Sequence, residues 1–193
     1  MFLAPMNTPG IEVRVIPSKM GARALHEVFF HDVRLGPDAV LGAVNGAWDV
    51  VNHILHYERI GIPRYIISQS ALDRAVALLE QAHLLDDVAR AQAARARAMC
   101  EAARLQCYQV IDARVKASAP SAITNLARVG LVMADRLVAE FIGDHVMDRL
   151  AGKDDALIAG AYRRTSATGI ASGAAEIQLD LIARNHLQLP RVA

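Results

Sequence analysis

Two short segments of the chain carry the side chains whose types and spacing suit chemistry. The segment H-Y-E-R-I-G-I holds Glu58 next to Arg59, and the segment I-A-S-G-A-A-E-I-Q holds Ser172 next to Gly173. A helix carboxylate beside an arginine is compatible with proton transfer. It is equally compatible with an ion pair or with an exposed place on the helix surface. The residues alone leave these alternatives open.

Two further kinds of site are weaker candidates. His53 and His56 lie three residues apart on one predicted helical face, close to Glu58, and so resemble part of a metal-ligand set. No second His or Cys pair recurs nearby, so packed or surface histidines are favoured and no metal site is predicted. Ser172 lacks the G-x-S-x-G context of a nucleophilic serine, and no histidine is placed as its partner.

Composition limits the classes of function. The chain has 193 residues, a net charge of +1 and 53% hydrophobic residues, which predicts one globular domain with an apolar core. A charge near zero argues against nucleic-acid or anionic-membrane binding as the main activity. No apolar run reaches membrane-spanning length, and the first residues lack the pattern of a signal peptide. We therefore expect a cytoplasmic protein.

The two cysteines point to a reducing compartment as well. Cys100 and Cys107 are seven residues apart in an alanine-rich helical run. This spacing puts both on one helical face but roughly 10 Å apart along the axis, too far for a disulfide. Reduced, packed thiols are predicted.

The first 42 residues read as β structure. Apolar and polar residues alternate over residues 11–17, and a second strand is predicted over residues 24–30. A shorter strand is expected over residues 2–6, before the turn Thr8-Pro9-Gly10.

From Asn45 onward the sequence reads as helix, and a domain boundary is predicted between residues 42 and 43. Four helical regions are predicted: residues 46–82, with a kink at Pro63, then 86–118, 121–150 capped by Ser121, and 156–187 interrupted around 169–173. In the third region an apolar stripe is expected from Leu126, Val129, Met133 and Leu137. Four long helices with short connections predict a mainly α fold, a four-helix bundle preceded by a short β segment.

Five motifs in order resemble the acyl-CoA dehydrogenase family. They are F-L-A-P-M-N-T-P-G-I at the start of the chain, K-M-G-A-R at residues 19–23, F-H-D-V-R-L-G-P at residues 30–37, the L-G and G-A-W of residues 41–48, and Y-E-R at residues 57–59. Each motif is weak alone, but the order and spacing together identify the chain as a member of the family. The resemblance covers the whole chain and about half of the family's usual length.

The resemblance implies an FAD-dependent α,β-desaturation of an acyl-CoA thioester. Most members carry their catalytic carboxylate in a loop reading I-Y-E-G-T-x-E-I-Q, where this chain has Ser172. A minority carry it in a helical E-R motif, which Glu58 matches, so Glu58 is the implied base. Arg59 matches an arginine near the CoA region, although an ion pair remains open. Ser172 and Gly173 match the loop whose backbone N–H binds the thioester carbonyl.

Departures from the family pattern weaken the implied cofactor site. The R-x-x-F-G that follows the first bundle helix in the family is absent, and A-L-L-E-Q-A-H stands there at residues 77–83. The family's Q-x-x-G-G-x-G is replaced by D-H-V-M-D-R-L at residues 144–150. The family contacts to FAD therefore look degraded, and no cofactor-binding residue is assigned.

Two functions are consistent with these departures. In the first, the chain is a dehydrogenase part that is inactive alone and works in a homo- or hetero-oligomer with an acyl-CoA dehydrogenase-like chain. In the second, it is a degenerate, non-catalytic partner that stabilises a full-length homologue. Both predict an oligomer and neither involves nucleic acid or a membrane.

Overall fold

The computed structural model describes residues 1–18, 25–58, 60, 62–116, 121–147, 155–170 and 173–190. The chain divides into two compact units, Met1–Glu58 and Arg59–Ala193. The fold is mainly α with one two-stranded sheet, which confirms the predicted class. The predicted domain boundary between residues 42 and 43 stays a prediction.

The first unit contains a β-ribbon and one helix. β1 (Ile11–Ile16) pairs antiparallel with β2 (Leu25–Phe30), in a register that sets Ile11 opposite Phe30 and Ile16 opposite Leu25. Both strands agree with the sequence prediction. The expected strand over residues 2–6 is wrong: within the described residues it is reduced to one antiparallel bridge between Phe2 and Val40.

The helix of the first unit is α1, Ala47–Glu58. The next helix, α2, runs over Ile62–Gln81, so the single kinked helix expected over residues 46–82 is two helices. Pro63 is the second residue of α2, where a missing N–H is tolerated because the first turn of a helix has no intrahelical acceptors. Residues 59 and 61 lie outside the described residues.

The second unit is built around two long helices, α3 (Asp87–Val115) and α4 (Ile123–Ile142). Asp86 is the N-cap of α3, and its carboxylate accepts a hydrogen bond of 2.8 Å from the backbone N–H of Ala89. Its buried residues recur at alternating spacings of four and three, and most are small: Ala89, Ala93, Ala96, Cys100, Ala103, Cys107 and Val110. Small side chains let two helices approach closely, so α3 and α4 share the most extensive interface of the unit.

α4 is the central helix and also packs against α2, α5 (Ala156–Thr168) and α6 (Ala175–Leu181). The predicted stripe on α4 is wrong in part, since Leu126 is 42% and Met133 47% exposed. The buried apolar residues are instead Ala127, Leu131, Val132, Ala134, Val138, Ala139, Phe141 and Ile142. A helix with neighbours on several sides buries small residues against them, and an apolar stripe in the sequence does not reveal which side that is.

The ends of the helices differ in detail from the sequence expectation. α4 starts at Ile123 with Ala122 at the cap, although the Ser121 hydroxyl accepts the Ile123 N–H at 3.4 Å. Past Ile142 the chain continues as a π-helical turn over Gly143–Met147, and a similar turn, Ile182–His186, follows α6. The interruption predicted around residues 169–173 separates α5 from α6.

Candidate functional site

Glu58 is the last residue of α1 and is exposed. Its neighbour Tyr57 is 53% exposed, and the Tyr57 ring lies 5.1 Å from that of His53, at a tilted angle. Arg59, predicted to contact substrate, lies outside the described residues. The structure therefore places the candidate base at the surface of the first unit.

The loop between α5 and α6 is the second candidate segment. Gly169 is the C-cap of α5, and its carbonyl accepts the backbone N–H of Ala175 at 3.1 Å, which closes the loop on itself. Ser172 lies outside the described residues. Gly173 is described and is partly buried, with a φ of +94°.

Gly173 needs to be glycine for two reasons. A positive φ is a conformation that side chains with a Cβ rarely adopt. A Cβ at this position would also lie 2.5 Å from the Nε2 of Gln178, which is buried at 1% exposure. The close approach of the loop to α6 thus depends on the absence of a side chain at Gly173.

A buried polar cluster supports this loop from α4. Arg128 is fully buried, and its Nε donates to the Gly173 carbonyl at 3.3 Å while its Nη2 donates to the Thr168 carbonyl. One helical turn away, Asn125 donates from Nδ2 to the Oε1 of Gln178 at 2.8 Å. Sequence reasoning missed this cluster. The available signal was two polar residues three positions apart, and so on one face of the helix.

A cavity of about 440 Å³ opens between the end of α4 and α5. Its lining includes one arginine, two carboxylates and an aromatic ring: Arg136, Glu140, Asp144 and Tyr162, with Ala139, Gly143 and Thr165 completing it. Two carboxylates beside one guanidinium are a poor environment for a pyrophosphate. The described lining residues of this cavity therefore do not fit the phosphate part of FAD.

A second, apolar cavity of about 690 Å³ lies within the first unit. Its lining residues come from the N-terminal segment, the ribbon and the residues after β2: Phe2, Ala4, Met6, Ile11, Phe30, Val33 and Leu35. Phe2 and Phe30 remain 63% and 66% exposed, so the cavity is a broad apolar depression with no polar lining side chain.

The cysteines carry no reactive thiolate. Cys100 and Cys107 are both free and buried on α3, which confirms the predicted packed thiols. Burial raises the pKa of the Cys100 thiol to about 11, and burial also raises the pKa of Cys107. Both side chains stay neutral at physiological pH and act as small apolar residues of the core.

Within the described residues no three His, Cys, Asp or Glu side chains come together as a metal-ion site. Over the same part of the chain, none of the helices combines the length and the apolar character needed to cross a membrane.

Comparison with known proteins decides the family. The family model described as "Acyl-CoA dehydrogenase, C-terminal domain" matches residues 45–187. The chain belongs to the acyl-CoA dehydrogenase family. This confirms the assignment made from the motifs, and the matched range includes both Glu58 and the α5–α6 loop.

Two curated relatives come from Mycobacterium tuberculosis. The chain is 26% identical to acyl-CoA dehydrogenase FadE34, over 98% of this chain and 26% of that protein. It is 29% identical to acyl-CoA dehydrogenase IpdE1, over 100% of this chain and 51% of that protein. The chain thus spans about half of IpdE1 and about a quarter of FadE34.

Solved structures share the fold. A glutaryl-coenzyme A dehydrogenase in complex with glutaryl-CoA superposes with a TM-score of 0.85 at 20% identity, covering 98% of this chain and 50% of that one. The Tcur3481–Tcur3483 steroid acyl-CoA dehydrogenase gives 0.81 at 20% identity, covering 99% and 52%. The ChsE4–ChsE5 complex from Mycobacterium tuberculosis gives 0.78 at 20% identity, covering 99% and 53%. At this identity the likeness establishes the fold alone.

Proposed function

We propose that this chain is the C-terminal part of an FAD-dependent acyl-CoA dehydrogenase activity, which desaturates an acyl-CoA thioester within an oligomer. The observation that carries the proposal is the family match over residues 45–187, because that one range contains both places where the family keeps its catalytic carboxylate. One of these, position 172, has lost the carboxylate, and the other, position 58, has one.

The proposal gives this chain the proton-transfer side of the reaction. Glu58 removes the α proton of the thioester, and the backbone N–H of residue 172 binds the thioester carbonyl, where negative charge develops. Replacing a glutamate by Ser172 removes the loop carboxylate but keeps that backbone donor. The proposal gives Arg59, the next residue in the sequence, a role in binding the CoA. When bound by the assembly, FAD supplies the acceptor of the β hydride.

An oligomer is part of the proposal for a physical reason. A carboxylate that abstracts a carbon-bound proton works best in a site that excludes water, and Glu58 is exposed in this chain. The described lining of the cavity beside α5 does not fit FAD, so the proposal places the flavin on other polypeptide. Two of the structural neighbours are described as two-component proteins, the ChsE4–ChsE5 complex and Tcur3481–Tcur3483, which supports an acyl-CoA dehydrogenase-like partner.

A non-catalytic role is the second candidate. Glu140 and Asp144 in the cavity and a serine at position 172 are the observations that favour it, since both weaken the family chemistry. In that case the helical second unit serves only to stabilise a full-length homologue.

The deciding experiment is a flavin absorbance spectrum. The chain is purified alone and after co-expression with a full-length acyl-CoA dehydrogenase homologue, and octanoyl-CoA is added as the reductant. We expect no flavin colour in the chain alone. In the complex we expect bound FAD whose absorbance is bleached by the thioester.

Glu58→Gln tests the base in that complex, with Glu80→Gln as the control because Glu80 is an exposed helix glutamate of α2. We expect Glu58→Gln to keep its bound flavin and to lose bleaching by roughly a hundredfold or more. Glu80→Gln should behave like the wild type. Bleaching at the wild-type rate in Glu58→Gln would remove Glu58 from the mechanism, and a colourless complex would favour the non-catalytic role.

A further inference from the structure

The α5–α6 loop is tied to α4 by a single side chain at both of its ends. Arg128 donates to the carbonyl of Thr168, the last residue of α5, and to the carbonyl of Gly173, two residues before α6. These two acceptors enclose the segment that contains position 172. One rigid group therefore fixes the separation of the two ends of the loop.

We propose that Arg128 is a positioning residue, whose guanidinium holds Thr168 and Gly173, the two described ends of the α5–α6 loop, at the separation that thioester binding by the loop requires. This inference rests on the proposed function. It assigns a role to a residue of the bundle core that lies outside both motif segments.

The choice of arginine follows from its geometry. The guanidinium is planar and offers five N–H donors in a fixed fork, so it can bond two carbonyls that face it from different directions. A lysine ammonium is a compact donor group on a flexible stem, and it does not fix the separation of two acceptors in this way. Hydrogen bonds from a charged donor are also stronger than those between neutral groups.

The burial of Arg128 carries a cost in desolvation free energy. Arg128 has no exposed surface, and removing a charge from water is unfavourable even when it is hydrogen-bonded. An apolar residue of similar volume would avoid that cost, but it would leave the carbonyls of Thr168 and Gly173 without this donor. The charge is thus tied to the two ends of the loop rather than to packing within the bundle.

A second pair of residues supports the same loop. Gln178 is held by the 2.8 Å bond from Asn125, and its Nε2 fills the space where a Cβ at Gly173 would lie. Asn125 and Arg128 are one turn apart on α4 and so lie on the same face of the helix. Arg128 bonds the loop directly, and Asn125 bonds Gln178 of α6. Both sets of contacts thus tie Thr168, Gly173 and α6 to the same face of α4.

The expected kinetic signature follows from what the loop would bind. A donor to the thioester carbonyl stabilises charge that develops in the transition state, so misplacing it lowers kcat more than it raises KM. A residue that only stabilised the bundle would lower the amount of folded, flavin-bound complex. It would leave kcat per bound flavin unchanged.

Hydrogen exchange on the whole chain tests the hold on the loop without requiring activity. The variants are Arg128→Lys and Arg128→Gln, with Arg97→Gln as the matched control because Arg97 is a surface arginine of α3 paired with Asp73. We expect amides of residues 169–174 to exchange roughly tenfold faster or more in both Arg128 variants, as for the loss of a charge-assisted bond, and to be unchanged in Arg97→Gln. Arg128→Lys keeps the charge and so covers the case in which Arg128→Gln does not fold.

Turnover in the flavin-containing complex then tests the positioning. We expect kcat per bound flavin with octanoyl-CoA to fall about tenfold or more in Arg128→Lys, with KM within about twofold. If the loop amides of Arg128→Lys exchange at the wild-type rate, Arg128 does not fix the loop, whatever the activity of the variant. Faster exchange with unchanged kcat per flavin would overturn the positioning role and leave the proposed function intact. A wild-type complex that never bleaches would instead overturn the proposed function, and the exchange result would still decide whether Arg128 holds the loop.

Discussion

The two units of this chain have similar fractions of apolar residues but bury them very differently. In the first unit, Met1–Glu58, none of the residues whose exposure the structure describes is buried. In the second unit, the described residues form one continuous core that joins α2, α3, α4, α5 and the π-helical turn after α4. The second unit has the interior of a folded domain, and the first does not.

The difference shows that apolar content alone does not make a core. In the second unit a central helix has neighbours on several sides, so its apolar atoms are removed from water in every direction. In the first unit the ribbon has only two strands, an arrangement that is marginally stable alone in water. Its apolar side chains, such as Val15 and Phe30, remain more than half exposed at 51% and 66%. The first unit is therefore the part that a further layer of polypeptide would stabilise most.

The largest expected effect comes from two matched phenylalanine truncations. Phe141→Ala, at 1% exposure beside the His145 ring, should lower the free energy of unfolding by about 3–5 kcal/mol. Phe30→Ala, at 66% exposure, should change it by less than about 0.5 kcal/mol in the chain alone. Urea denaturation followed by helical circular dichroism measures both. Equal effects would mean that the first unit has a core after all.

A pair of glycine substitutions gives an intermediate effect. Gly173→Ala puts a Cβ on a residue with a φ of +94°, and this Cβ would lie 2.5 Å from the Nε2 of Gln178. We expect the free energy of unfolding to fall by about 1–3 kcal/mol. Gly36→Ala is the control, since a Cβ there meets nothing within 4 Å and the backbone is extended with φ of −71°. Thermal unfolding of both variants measures the difference. A Gly173→Ala variant as stable as Gly36→Ala would show that the loop has room to relax.

The smallest expected effect concerns the start of α5 and its pH dependence. Asp155 caps the helix by accepting the N–H groups of Leu157 and Ile158, and its Oδ2 pairs with Arg74 at 2.7 Å. The hydrogen bond from Arg74, followed by that from Ile158, holds the pKa of Asp155 below its usual range. At neutral pH, Asp155→Ala should cost about 1 kcal/mol.

The sign of the pH effect follows from that lowered pKa. A carboxylate whose pKa is lower in the folded than in the unfolded chain stabilises the folded state. Its full contribution is present above the unfolded-state pKa of about 3.9, and it is lost as the pH falls through the folded-state pKa. The difference in free energy of unfolding between the wild type and Asp155→Ala, measured by urea denaturation, should therefore be constant from pH 7 to about 5 and shrink below about pH 4. A difference in free energy of unfolding that grows as the pH falls would contradict the hydrogen bonds assigned to Asp155.

Much of the fold could be predicted because its signals are local. The alternation over residues 11–16, the alanine-rich run of α3 and the break near residue 170 each depend on neighbours in the sequence, and each appears where expected. Choosing the buried face of α4 failed because it depends on contacts between distant segments. Leu126 and Met133 are apolar and correctly spaced, yet the neighbours of α4 lie on its other sides.

For the candidate site, the sequence by itself determined the family, the two positions at which the family keeps its base, and the loss of a carboxylate at Ser172. These are facts of residue type and order, which motif spacing preserves. Only the tertiary structure decided that Arg128 is fully buried, that it joins both ends of the α5–α6 loop, and that a Cβ at Gly173 would clash with Gln178. An arginine in a helix is most often solvated, so its role emerges only when folding brings carbonyls from residues 40 and 45 positions away to its guanidinium.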